Sequence, residues 1–257
     1  MIWNKESEKM LLDLKAQGFS TNYIAEVLNT TASSVKHKYT RLQQSNNANS
    51  HHHPVEKTQQ VEKILRNMAG DIYVLETHAG YGNLTKVYSL FAKEVLAFET
   101  NKDKCKHIND AGHENVVCHR ADSLKEMHLS LYHGLKFNVI DIDPYGFPSR
   151  YFPDVFELID DGFIFITFPK YGCAQINNIT KLHLKSFYDF DGGDNEDFLN
   201  CCISSLKRQA LQTYRIFDVI DVLDLKKVYR IAARIKKENA FNLCGYEHLS
   251  KKKEDIT

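Results

Sequence analysis

The stretch Ile72-Tyr73-Val74-Leu75-Glu76-Thr77-His78-Ala79-Gly80-Tyr81-Gly82-Asn83-Leu84-Thr85 decides how the chain reads. Apolar residues end in an acid, a short turn carries two glycines, and a helical pattern runs from Leu84 to Phe91. Strand, glycine turn and helix in that order are the opening unit of a doubly wound parallel sheet. Gly80 and Gly82 let the backbone approach a ligand at the carboxyl end of the sheet, where such folds bind. Glu76, at the strand end, can accept a hydrogen bond from a ligand amine or amide. The spacing is not the dinucleotide fingerprint GxGxxG, and a plain tight turn also satisfies it.

Outward from this unit the alternation continues. A helix is expected over Val55 to Met68, then strands over Glu94 to Glu99, Asn115 to His119, Phe137 to Ile142 and Gly162 to Phe168. Helices near Lys102 to Asn109, Asp122 to Leu131 and Pro153 to Ile159 separate them. Two long strand patterns, Arg215 to Leu223 and Val228 to Ile235, flank the turn Asp224 to Lys227 and predict a terminal hairpin. The expected fold class is therefore α/β, a doubly wound and mostly parallel Rossmann-like sheet with a C-terminal β-hairpin.

Two further acids extend the ligand site. Glu99 ends the second strand in LAFET, where a carboxylate can accept from both hydroxyls of a ribose. Asp122, in HRADSL, follows the third strand; a helix N-cap is the other role open to it. Glu76 with Gly80 and Gly82 resembles the first motif of S-adenosylmethionine-dependent methyltransferases, E/D-x-x-x-G-x-G. That resemblance implies S-adenosyl-L-methionine as cofactor, held by Glu76, Ala79, Gly80, Gly82, Glu99, Asp122 and Asp141, with Asp122 meeting the adenine amine. It also implies the terminal hairpin on an otherwise parallel sheet.

The fourth strand ends Val139-Ile140-Asp141-Ile142-Asp143-Pro144-Tyr145-Gly146-Phe147-Pro148. This resembles the D/N-P-P-Y/F motif, or its shortened D-P-F/Y-G form, of methyltransferases that act on exocyclic base amines. Such an amine is a poor nucleophile because its lone pair is delocalised into the ring. A carboxylate and a backbone carbonyl that accept its two N–H bonds hold it nearer tetrahedral and aim the lone pair. Asp143 would be the first acceptor, the main-chain oxygen of Pro144 the second, and Tyr145 or Phe147 the ring stacked on the base. A turn after a strand also favours Asp-Pro and Gly.

The octapeptide DIDPYGFP, with FPDVFELIDDG and FIFIT after it, is similar to the tRNA guanine-N2 dimethyltransferase family over about residues 72–170. This chain departs from that family by lacking its long C-terminal domain and by carrying a small helical unit in front. Residues 1–44 read as three short helices, with Gly18 ending the first, Ser20 capping the second and Thr30 or Thr31 capping a third that runs to about Gln43. Apolar positions Met10, Leu11 and Leu14 lie on one face of the first helix, and the second carries Tyr23, Ile24, Val27 and Leu28. The phrase FSTNYIAEVLNTTASSVKHKYTRL resembles helix-turn-helix DNA-binding units, including Myb-like ones with an N-terminal Trp, here Trp3. That resemblance makes the third helix, with Lys36, His37, Lys38 and Arg41 and no acid, the nucleic-acid contact; a protein-docking module is the alternative. A polar linker, Ser45 to Pro54, separates this unit from a methyltransferase-like domain over 55–257. Tyr171, Lys181, Lys185, Phe187 and Tyr188 interleave basic and aromatic residues as a substrate contact would, and Asp191 to Asp197 reads as a flexible loop.

The chain has 257 residues, 43% hydrophobic and 26% charged, a composition that excludes a mostly disordered or collagen-like protein. Lys plus Arg and Asp plus Glu are 33 each, so any affinity for nucleic acid must come from a local patch. No apolar run approaches the ~20 residues of a membrane span, and MIWNKESEKM has charges where a signal peptide needs its apolar core. The expectation is a cytoplasmic protein that needs no membrane. Its six cysteines form no CxxC and are expected to be reduced, and no metal is expected; His51-His52-His53 lies in the linker. The first functional expectation is methyl transfer to an amine of a DNA base, adenine N6 before others, on duplex DNA. A tRNA guanine or adenine is the alternative substrate, and a DNA-binding regulator that only senses a nucleotide is the alternative class.

Overall fold

The computed structural model describes residues 3–51, 53–173 and 180–238, and among these the chain separates into two compact units that meet between His53 and Pro54. The first holds α1 (Lys5–Ala16), α2 (Thr21–Val27) and α3 (Ala32–His51). Asn4 and Ser7 form a reciprocal cap on α1, and the Ser20 side chain accepts from Tyr23 N–H to start α2. The centre of this unit is Leu11, Ile24, Ala25, Leu28 and Val35, with Trp3, Leu14 and Tyr39 packed around it. Met10, Tyr23 and Val27 are each nearly half exposed. Seven-residue α2 has room for only one buried stripe, and Ile24 and Leu28 occupy it.

The linker expected over Ser45 to Pro54 is corrected by the structure, because α3 continues through it to His51. No glycine or proline interrupts residues 32–53, and the Asn and Ser residues cost at most ~0.7 kcal/mol each in a helix. Pro54 then takes the first position of the next helix, where its missing N–H costs nothing.

The second unit begins with α4 (Pro54–Leu65) and builds a seven-stranded sheet. Its strands are β1 (Tyr73–Glu76), β2 (Glu94–Phe98), β3 (Val116–His119), β4 (Phe137–Ile142), β5 (Ile159–Pro169), β6 (Arg215–Asp224) and β7 (Val228–Lys237). Between them lie α5 (Asn83–Phe91), α6 (Lys102–Asp110), α7 (Ser123–Tyr132), a 3-10 turn (Pro148–Tyr151), α8 (Phe152–Leu158), α9 (Lys181–Tyr188) and α10 (Asn195–Gln212). The strand order is β3-β2-β1-β4-β5-β7-β6, parallel except for β7, which runs antiparallel between β5 and β6. The doubly wound α/β fold with a C-terminal hairpin is therefore the observed one.

The strand order reverses between β1 and β4, so the connections after those two strands leave in opposite directions and open a crevice at their carboxyl ends. Two apolar layers hold the sheet. One face buries Phe152, Phe156, Phe168 and Phe198 from α8, β5 and α10; the other buries Val61, Ile64 and Leu65 of α4 with Val87 and Tyr88 of α5. Truncating one of these phenylalanines to alanine costs about 3–5 kcal/mol.

Two expectations for the segment after β5 are overturned. Asp191 to Asp197 is not simply a loop: Asp194 caps α10 in a reciprocal box with Asp197. Tyr188, expected at a substrate surface, is fully buried, because α9 turns that side chain into the aromatic cluster with Phe198 and Phe168. Residues 174–179, Cys244 and Lys251 to Lys253 lie outside the described residues. No described helix is long and apolar enough to cross a membrane.

Candidate active site

The crevice above β1 and β4 holds a pocket lined by Thr77, His78, Phe98, Glu99, Thr100, Asp122, Ser123, Arg150 and Tyr151. Glu99 and Asp122 both line it, brought there from the ends of β2 and β3. The Glu99 carboxylate is oriented by backbone amides, Oε2 accepting from Gly80 N–H at 3.0 Å and Oε1 from Asn101 N–H at 2.8 Å. Gly80 takes a φ of +59°, and a side chain added there would point into open space. Gly82 has φ +79° and caps α5, and a Cβ there would collide with Ile108 at 2.9 Å. One glycine leaves room at the pocket, whereas the other lets α5 approach α6.

Asp122 does both things its sequence position allows. Its Oδ1 caps α7 through the amides of Leu124 and Lys125, and its other oxygen lies 3.9 Å from Arg150 at the pocket wall. His78 bridges the hydroxyls of Thr77 (2.7 Å) and Tyr151 (3.0 Å). Burial lowers its pKa despite the nearby Asp143 carboxylate, so the ring is neutral at pH 7.

Of the seven expected cofactor residues, Glu99 and Asp122 line this pocket, Gly80 and Gly82 do not, and Glu76, Ala79 and Asp141 are buried. Glu76 is 3% exposed and accepts from the Thr85 hydroxyl at 2.6 Å. Burial, then the charge of Asp141, pushes its pKa up to about 8, with Thr85 and Arg230 opposing. Ala79 packs in the core and gives its N–H to the Phe98 carbonyl at 3.0 Å. Asp141 is corrected as a pocket residue. Both of its oxygens accept from Arg230, at 3.0 and 2.6 Å, and Tyr88 O–H donates to it at 2.5 Å. It is 1% exposed within β4, whereas Asp143, two residues on, lies past the end of the strand.

Asp143 keeps about a quarter of its side chain exposed (24%). Its Oδ2 accepts from Lys57 Nζ at 2.5 Å, and that lysine is 5% exposed. Burial alone would raise the Asp143 pKa, but the Lys57 ammonium and the Arg230 guanidinium outweigh it and hold it at about 2. Beside it, Pro144 is half-buried and Tyr145 is 82% exposed. Phe147 is not presented with Tyr145: its ring meets Tyr188 at 5.4 Å and Phe198 at 6.0 Å. A phenylalanine gains more from that cluster than from water, which leaves Tyr145 as the exposed ring of the motif. Tyr171 also turns to the cluster, edge-on to Phe190 at 4.9 Å, with 36% of its surface exposed.

In the helical unit, Lys36 is exposed. Lys38 is not a bare cation on an acid-free helix: Glu8 of α1 pairs with it at 2.5 Å, and its ammonium lies 5.9 Å from the Trp3 ring centroid. The side chain of Arg41 lies outside the described residues.

Lys57, Gln60 and Arg230 are missing from the sequence-based site. Gln60 Oε1 accepts from Arg230 Nε at 3.2 Å, and Gln60 Nε2 donates to Asp221 at 2.8 Å. A signal existed: Lys57 and Gln60 fall on the same α4 stripe as Val61 and Ile64, and Arg230 interrupts an apolar strand. Polar residues at core positions need partners, and here the partners include the acids Asp143, Asp221 and Asp141.

No protein-family model and no curated protein sequence matches the chain. Solved structures do. Trm1 from Pyrococcus horikoshii, solved with S-adenosyl-L-methionine, superposes with a TM-score of 0.55 at 17% identity over 67% of this chain. The chain shares the fold of these structures. Trm5b from Pyrococcus abyssi gives 0.50 at 15% identity over 70% of this chain. TYW2 of M. jannaschii, in complex with AdoMet, gives 0.50 at 15% identity over 72% of this chain and 76% of its own. The chain spans about half the length of the Trm1 and Trm5b structures, 52% and 48%.

Proposed function

We propose that the chain is an S-adenosylmethionine-dependent methyltransferase that acts on an exocyclic amine of a nucleic-acid base, with adenine N6 in DNA as the substrate. The observation that carries this is the ionised Asp143 carboxylate just past the end of β4, on the same side of the sheet as a pocket that Glu99 and Asp122 line. Two of the similar structures are complexes with S-adenosyl-L-methionine or AdoMet, which supports the cofactor. The residues present fit it: Glu99 offers carboxylate oxygens to a ribose, Asp122 an acceptor to an adenine amine, and Gly80 leaves its side-chain space open. When bound, S-adenosylmethionine supplies an electrophilic methyl group on sulfur.

Asp143 accepts one N–H of the target amine and the Pro144 carbonyl accepts the other, which raises the electron density on nitrogen. Tyr145 stacks on the base. At a pKa of about 2, Asp143 orients and polarises the amine and is too weak a base to deprotonate it beforehand. The released proton leaves to solvent after the methyl has been transferred.

The three-helix unit with exposed Lys36 and His37 supports duplex DNA. The octapeptide DIDPYGFP favours a second reading, methylation of a tRNA guanine or adenine. The test is methyl transfer from labelled cofactor to duplex DNA and bulk tRNA side by side, with the modified nucleoside identified. N6-methyladenine in DNA is the expected product, and a product made only in tRNA overturns the DNA assignment. Asp143→Ala should lower turnover by about 10²–10³ while cofactor affinity stays within a few-fold. Undiminished turnover, or a methyl group on ring carbon, would sink amine methylation altogether.

A further inference from the structure

We propose that Lys57 is the positioning residue of this reaction: its ammonium holds one oxygen of Asp143 so that the other is presented to the target amine. The inference rests on the proposed amine methylation and adds to it a residue that lies outside both motifs.

Lys57 sits in the first turn of α4, ahead of the whole sheet, on the helix face that buries Gln60, Val61, Ile64 and Leu65. A lysine is rarely found in such a stripe, because an ammonium out of water is costly unless paired. Its partner is the Asp143 carboxylate, across 86 residues of sequence, at 2.5 Å. As a device for stability alone the pair is a poor choice, since apolar residues of similar volume often serve as well or better. A role for its geometry explains why a charge stands there.

The groups that face Asp143 come from five elements. Lys57 reaches it from α4, Arg230 from β7 and the Thr167 hydroxyl from β5, while Glu76 at the end of β1 and His78 just beyond it act through their charge or polarity. Asp141 lies two residues back on β4. Arg230 is committed to Asp141 through both terminal nitrogens. Lys57 is therefore the cation that both hydrogen-bonds Asp143 and is free of Asp141. Its bond engages Oδ2, and the amine hydrogen is assigned to Oδ1. The same bond, with the Arg230 charge, holds the carboxylate ionised, so the acceptor persists well below neutral pH.

The experiment uses the full chain with Lys57→Met, Lys57→Gln and Lys57→Arg. Three quantities are read: the Asp143 carboxyl titration by carbon-13 NMR, assigned with Asp143→Asn; calorimetric affinity for S-adenosylmethionine; and kcat and KM for the nucleic acid against pH. In the wild type Asp143 should stay ionised down to about pH 3, and kcat should have no acid limb from it. Lys57→Met should move the Asp143 midpoint up by one or more pH units. It should also lower kcat by about 10²-fold, with KM and cofactor affinity within a few-fold, and introduce an acid limb at the new midpoint. Lys57→Arg should recover most of the rate. If the methionine variant fails to fold, Lys57→Gln, which keeps a donor and loses the charge, carries the same comparison. An unmoved Asp143 titration overturns the proposal whatever the enzyme does. A moved titration with an unchanged kcat profile overturns the positioning role alone. A titration moved by Lys57→Met, in a protein whose wild type methylates no base amine, instead removes the proposed reaction, and the role with it.

Discussion

Glu76 and Asp143 are carboxylates at neighbouring strand ends, and their surroundings drive them apart. Asp143 has a cation in contact and stays charged; Glu76 has burial and Asp141 against it and is held protonated to about pH 8. The consequence for stability has a definite sign. A group whose pKa is raised on folding contributes stability that is whole below its unfolded pKa, 4.5 here, and is lost as pH rises through about 8. The empty protein should therefore lose stability between pH 5 and 8.5, and Glu76→Gln should flatten that decline. Urea midpoints at pH 5, 6.5 and 8.5 measure it; an equal decline in the variant would show that Glu76 does not cause it. Beneath them, Arg230 and Asp141 are 0% and 1% exposed. Arg230→Met leaves Asp141 without its cation and should cost about 3–5 kcal/mol in urea unfolding. A loss below 1 kcal/mol would mean that Tyr88 alone satisfies the acid.

The pairing of β4 with β5 slips between Phe137 and Val139, and Gly162 of β5 sits opposite the slip. Gly162 has φ +152°, and a Cβ there would lie 2.0 Å from the Asn138 carbonyl oxygen, a backbone atom with nowhere to go. Gly162→Ala should therefore force the two strands apart, at about 1–3 kcal/mol, and lower Tm by roughly 2–10 °C. An unchanged Tm by calorimetry would show that the slip absorbs the methyl group. Helix α10 illustrates a different point. Phe198, Cys202, Leu206 and Ala210 recur every fourth residue and are all buried, and Asp194 with Asp197 forms its cap. The period was present in the sequence, but the acids and glycines of residues 191–197 read as a loop and concealed the helix start.

Each of the two units draws its buried cluster from its own residues: Leu11 to Val35 in the first, and nothing before Val61 in the second. A fragment that begins at Pro54 should fold and bind S-adenosylmethionine with the affinity of the full chain. Its binding to duplex DNA should be weaker and less steep in salt, because phosphate contacts from Lys36 and its neighbours are gone. A fragment that begins after Leu65 should instead unfold at much lower urea, since it lacks the α4 stripe and leaves Asp143 and Arg230 without Lys57 and Gln60. Full DNA affinity with the same salt slope in the Pro54 fragment would show that the helical unit does not touch DNA.

Local pattern alone set the strand–helix alternation, the terminal hairpin and the positions of Glu99, Asp122 and Asp143 at strand ends. Periodicity and turn chemistry act between near neighbours in the chain, so they can be read without coordinates. The same information could not separate Asp141 from Asp143, both acids near the end of one apolar strand. Which of them meets the crevice depends on where β4 stops relative to Arg230, a residue of another strand. Nor could it choose between Tyr145 and Phe147, since the choice depends on Tyr188 and Phe198 closing over one ring. Lys57 and Asp143 are 86 residues apart, and only the packing of α4 against the sheet makes them partners. Long-range charge pairs carry no local signature beyond a polar residue in an apolar stripe, so folding decided which acid is buried and which is poised at the site.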